Sequence, residues 1–296
     1  MNQQLEAFRK QSLFPEDAFR FACLLEVRSP KAGNVSPGKP LASLTEEAFE
    51  TASEIAALRW FHSREASGEA PAISRWILES TQETVDQFKT NVNLGILLMA
   101  GPLIASDSQS PENRVPRDDW PSRVADVLSA LSAVDRQMLY DAINVAAPGG
   151  MGESDEMDLR GPAPPNFLDA MRHAEAKDRI AQNYAGGFRD LFETVTPTIE
   201  RCLDKHVNIL DGICETHLEL LASEPDSLIA RKFGSELARS VQQRAEQAVL
   251  SPSHRDAFDS FLRQGARDRK NQWSNINPGT TADLIAAGLY ILLREK

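Results

Sequence analysis

The chain has 296 residues, 42% hydrophobic and 25% charged, enough to bury a large core without disulfide or metal staples. Its 32 Lys and Arg against 43 Asp and Glu give a formal net charge of −11. That excludes a general nucleic-acid or anionic-membrane surface, and an anionic substrate would need a local cationic pocket or a metal ion.

Hydrophobic residues recur three and four apart almost everywhere, as in 45–65, 72–90 and 214–224, and alternating strand patterns are missing. The expectation is an all-α chain, one domain over 1–296 with long functional loops. Three cysteines without a CxxC pair, no apolar signal region in MNQQLEAFRK and no long apolar run predict a reduced cytoplasmic protein that spans no membrane.

The first informative helix runs from about Pro15 to Val27. Phe19, Ala22, Cys23 and Glu26 fall at i, i+3, i+4 and i+7, which places a carboxylate on an apolar stripe. Such an acid suits proton abstraction, or it is simply a glutamate satisfied by an arginine. The loop SPKAGNVSPG follows, and Lys31 there is a candidate phosphate partner.

Further on, KTNVNLGILLMAGPL offers Asn91 or Asn93 as a helix cap or as a reader of a base or ribose edge. The stretch 106–120, charged and without glycine, reads as a solvated insertion and the one place for a domain boundary. In 144–158, Gly149 and Gly150 precede Glu153, Asp155, Glu156 and Asp158. Close backbone approach and Mg²⁺ binding are open to this loop, as is plain solvation.

The stretch 168–188 reads as one helix with Asp178 and Arg179 inside it, as an ion pair or as part of a site. SEPDSLIARKFG opens a helix after Pro225. Asp226 caps it or orients Mg²⁺, and Arg231 and Lys232 are placed to neutralise phosphate. NINPGTTADLIAAGLYILLRE reads as a turn, a capping box of Thr280 with Asp283, and an amphipathic helix that packs internally or across a dimer. The five histidines have no zinc spacing, and GxSxG and P-loop motifs are missing.

Taken in order, Glu26 with SPKAGNV, TNVNLG, APGGMGE, AMRHAEAKDRIAQNYAGGF, HLELLASEPDSLIARK and NINPGTTADLIAAGLY resemble the ATP:dephospho-CoA triphosphoribosyltransferase family. The likeness implies an all-helical fold. It also implies transfer of a triphosphoribosyl unit from ATP to a ribose hydroxyl of dephospho-CoA, with release of adenine. It marks Glu26, Asp178 and Asp226 as catalytic candidates and Glu153 and Asp226 as Mg²⁺ ligands. The implied nucleotide-binding set is Lys31, Asn34, Asn91, Asn93, Gly149, Gly150, Arg179, Arg231, Lys232, Asn277, Gly279, Thr280 and Asp283.

Asn91-Val92-Asn93-Leu94-Gly95 differs from the Asn-Thr-His-Lys-Gly of lyase-linked members. In this the chain resembles a branch found near tetrahydromethanopterin-linked genes, which implies a pterin-type acceptor as the alternative. A helical interaction protein without turnover is the competing reading.

Overall fold

The computed structural model describes residues 2–42, 44–67, 72–108, 114–146 and 167–296. Its axis is the C-terminal helix. From Thr280 to Arg294 every residue of this helix except Asp283 is buried, so it is not the amphipathic helix expected from its sequence. A helix apolar on all sides finds no stable place at a surface and becomes the centre of the packing.

Fifteen α-helices occur among the described residues. The first seven are α1 (Gln3–Gln11), α2 (Pro15–Arg28), α3 (Glu46–Ser67), α4 (Ile73–Phe88), α5 (Leu94–Asp107), α6 (Trp120–Ser129) and α7 (Ala133–Ala146). The rest are α8 (Phe167–Ala174), α9 (Arg179–Ala185), α10 (Thr196–Lys205), α11 (Ile209–Ser223), α12 (Ser227–Phe233), α13 (Ser235–Leu250), α14 (Ser253–Gln264) and α15 (Gly279–Arg294). The strand content described is one two-stranded pair, Ala266–Arg267 with Trp273–Ser274. None of these helices is long and apolar enough to cross a membrane.

α15 packs against α2, α5, α10 and α11 within the main core. Gly288 allows one of these crossings, because a Cβ there would lie 2.4 Å from Cδ1 of Ile199 on α10. A second, smaller cluster joins Leu218 and Leu221 of α11 to Ile229, Ala238, Val241, Phe258 and Leu262.

Two expectations fail for physical reasons. The described parts of 106–120, residues 106–108 and 114–120, are not a solvated insertion: Asp107, Val115 and Trp120 are buried, and residues on both sides belong to the same core. Two of its charges are paired across the chain, Asp107 with Arg294 and Arg117 with Glu200 and Glu295. Nor is 168–188 one helix. The amides of Lys177 and Asp178 both bond back to the Ala174 carbonyl, and Asp178 Oδ1 then accepts from the amides of Ile180 and Ala181 at 2.8 and 3.1 Å. An aspartate that offers its oxygen to the backbone competes with the helix it would interrupt and caps the next one.

Candidate functional site

α2 carries Glu26 into the interior with 2% of its surface exposed, between the buried Leu25 and Val27. The helix stops at Ser29, whose hydroxyl donates to the Leu25 carbonyl at 2.7 Å, and the chain reverses. Lys31 folds back beneath the helix end. Its ammonium lies 2.9 Å from Glu26 Oε1 and also donates to the carbonyls of Glu26 and Ser29. Lys31 therefore faces Glu26 rather than a phosphate, as a buried pair whose desolvation is costly. The sequence could not show this reversal.

The loop beyond is pinned at Gly33, which adopts φ +69° and donates its amide to Asp259 Oδ1 at 2.8 Å. A Cβ at Gly33 would strike Leu262 at 2.6 Å. Asn34 then reaches across to the Pro278 carbonyl at 3.3 Å.

α12 and α15 meet through Asp226. Its Oδ1 accepts from the Ile229 amide at 3.1 Å, and its Oδ2 accepts from the amide and hydroxyl of Thr281, both at 2.8 Å. Three donors occupy this carboxylate, so it is a buried clasp between two helices and not a free metal ligand. Arg179 is likewise committed, forked onto Asp190 at 2.9 and 3.0 Å. The expected box of Thr280 and Asp283 does not form. Pro278 holds the cap position with no side-chain cap, and Thr280 instead accepts from Ser227 at 3.0 Å.

These elements close around a cavity of about 820 Å³. Glu26, Asn34, Asn91, Asp178, Arg231, Lys232, Asn277, Gly279, Thr280 and Asp283 all line it. Lys31, Asn93, Arg179 and Asp226 do not. Asn91 caps α5 through the Leu94 amide at 3.1 Å, while Asn93 is buried with its Nδ2 lacking a partner among the described residues. Gly149, Gly150 and Glu153 lie outside the described residues.

The cavity has two characters. Arg231, which is bonded to Asp178, and Lys232 from α12 are joined by Lys89, Lys177 and His173. Apolar side chains also line it, among them Val85, Ile96, Leu98, Ile143, Ala170 and Met171. Lys89, Lys177 and His173 escape a reading of the sequence, although Lys177 adjoins Asp178 and Lys89 directly precedes TNVNLG.

Charge within the cavity is not balanced. Burial pushes Asp283 well above the usual carboxylate range, and the Glu26 and Asp226 carboxylates push it further while Arg231 opposes them. Burial also lifts the Cys23 thiol, again with Glu26 and Asp283 adding to the effect. Lys232 is pulled below the ordinary lysine value by burial. Among the described residues the three possible metal-binding side chains that cluster are Cys202, Glu215 and Glu219. None lines the cavity, and Arg201 and Lys205 already pair with both acids of that trio.

No curated protein matches the sequence. Among solved structures, a proposed triphosphoribosyl-dephospho-CoA synthase from Archaeoglobus fulgidus is similar at TM-score 0.57 and 22% identity. The match covers 84% of this chain and 95% of that one, and it supports the helical fold. The family model for ATP:dephospho-CoA triphosphoribosyl transferase matches residues 13–296. The chain belongs to that family of transferases.

Proposed function

We propose that the cavity takes ATP and dephospho-CoA together and transfers the triphosphoribosyl unit from adenine to a ribose hydroxyl of the acceptor. The observation that carries this is the convergence on one cavity of Arg231, Lys232, Lys89 and Lys177 with the carboxylates of Glu26, Asp178 and Asp283. The chain as a whole is acidic. A local group of cations inside it is what a triphosphate requires.

In this reading Arg231 and Lys232 hold the triphosphate, and Asp178 fixes the Arg231 guanidinium. Glu26 takes the proton of the attacking hydroxyl, with Lys31 holding its carboxylate in place from behind. A base so positioned contributes on the order of 10²–10⁴ in rate. The transfer develops positive charge at the anomeric carbon, and fixed carboxylates oriented beforehand favour that charge more than mobile water does. Mg²⁺ enters with the nucleotide. Asp226, occupied by three donors, does not fit as its ligand, and the chain's own residues carry each of these steps.

The test is direct. Incubation with ATP, Mg²⁺ and dephospho-CoA should release adenine in equal amount to a triphosphoribosylated product, read by chromatography and mass spectrometry. Adenine released with a reduced pterin and not with dephospho-CoA would move the acceptor to the pterin class. No adenine with either would remove the proposal.

A further inference from the structure

Asp283 is the one residue of α15 between Thr280 and Arg294 that is not fully buried, and its carboxylate opens on the same cavity as Glu26. Among the described residues the other acids at the site are engaged. Glu26 is paired with Lys31, Asp178 with two amides and Arg231, and Asp226 with three donors. Among the described residues nothing donates a hydrogen bond to Asp283.

Room for this bare carboxylate is cut out of the facing helix. A Cβ on Gly95, in the first turn of α5, would lie 2.0 Å from Asp283 Oδ2 and 2.5 Å from its Cγ. No side chain other than hydrogen leaves Asp283 where it is.

We propose that Asp283 is the general acid of the transfer, giving a proton to a ring nitrogen of the departing adenine while Glu26 receives the proton of the attacking hydroxyl. This rests on the transferase reading above and assigns a role that reading leaves open. Two carboxyl groups at one site divide acid from base when their surroundings differ. Glu26 has a buried ammonium beside it, whereas Asp283 has neighbouring carboxylates, and burial together with their field favours its protonated form.

The step balances. The bond from the anomeric carbon to the purine nitrogen breaks with its electron pair on the base. The Asp283 proton makes that base neutral adenine. The hydroxyl oxygen bonds to the anomeric carbon and its proton passes to Glu26. One proton moving from Glu26 to Asp283 then restores the starting state, without an external donor.

The experiment compares two donors, ATP and nicotinamide riboside 5′-triphosphate. Nicotinamide leaves a pyridinium riboside as a neutral molecule and needs no acid. Asp283→Asn should slow turnover of ATP by roughly 100-fold or more and that of the pyridinium donor by less than about 10-fold. Glu26→Gln should slow both alike. Gly95→Ala should follow the Asp283→Asn pattern, since the methyl group displaces the carboxylate. Wild-type kcat with ATP should fall as rising pH removes the Asp283 proton, and this fall should be missing with the pyridinium donor. Equal losses on both donors in Asp283→Asn, or identical alkaline limbs for both donors in the wild type, would overturn the assignment and leave the transferase reading standing. A wild type that releases no adenine from ATP with either acceptor would overturn both.

Discussion

The two ends of α15 each carry an ionisable constellation in the interior, and they are built on opposite terms. At the C-terminal end Arg294 forks onto Asp107 at 2.6 and 3.0 Å, Tyr290 donates to the same carboxylate at 2.8 Å, and the remaining guanidinium donor reaches the carbonyls of Ser12 and Leu13. At the N-terminal end Asp283 has no such donor among the described residues. Burial lifts both acids. Around Asp107 the arginine and tyrosine oppose it, while around Asp283 other carboxylates reinforce it. One helix thus shows what a buried carboxylate looks like when it serves packing and when it is left available for chemistry.

Breaking the satisfied end should have the largest effect on stability. Arg294→Met leaves Asp107 charged and buried without its partner, and the loss should be roughly 3–5 kcal/mol in a denaturant titration. The same measurement on Asp283→Asn should move the other way. The native state of the wild type holds the Asp283 proton to higher pH than the unfolded chain does. Wild-type stability therefore declines as pH rises above about 4, the ordinary aspartate value, and continues to decline until the folded group titrates. The asparagine variant lacks this contribution, so its advantage in Tm should widen as pH rises above about 4. A gap that stays constant or narrows with pH would contradict the picture of an unsatisfied acid.

Arg231→Ala sharpens the comparison at the cavity itself. It removes a charge-assisted contact from the triphosphate and frees Asp178, and the KM for ATP should rise about tenfold or more. Stability should change little by comparison, since Asp178 keeps its two amide donors. The smallest effect concerns His217, buried in α11 with neither ring nitrogen bonded among the described residues and its pKa lowered to about 3, chiefly by burial and then by Lys31. The unfolded chain binds that proton near pH 6.5, so stability falls as pH drops from there toward about 3. His217→Leu should gain about 1 kcal/mol near neutral pH and more at about pH 5, read by thermal melting.

Much of this architecture is legible in the chain. The i, i+3, i+4, i+7 stripe places Glu26 indoors, and Asp226 before SLIARKF marks a helix start. What spacing does not carry is direction after a helix ends. Lys31 is five residues beyond Glu26 in sequence, and only the reversal at Ser29 returns it to the same carboxylate. Asp178 misleads for a related reason. Its surroundings have helical period, and the side chain's competition for amides, not the period, decides that the helix breaks there. Asp283 reads as half of a capping box because Thr280 stands three residues before it. The pattern is local, whereas its actual neighbour is Gly95, on a helix far away in sequence. In 106–120 Asp107 and Arg117 look solvated because their partners, Arg294, Glu295 and Glu200, are remote in the chain.

The glycine pinned at position 33 ties the Lys31–Asn34 segment to α14. Asp259 takes its amide, Leu262 occupies the space a side chain would need, and Arg263 donates to the Asn34 carbonyl at 2.7 Å. The smaller cluster thereby acts as a foundation for one wall of the cavity. A substitution such as Leu262→Ala, on a helix that contributes no lining residue, should loosen the Lys31–Asn34 segment in hydrogen exchange and reduce turnover at temperatures where the α15 bundle is still fully folded.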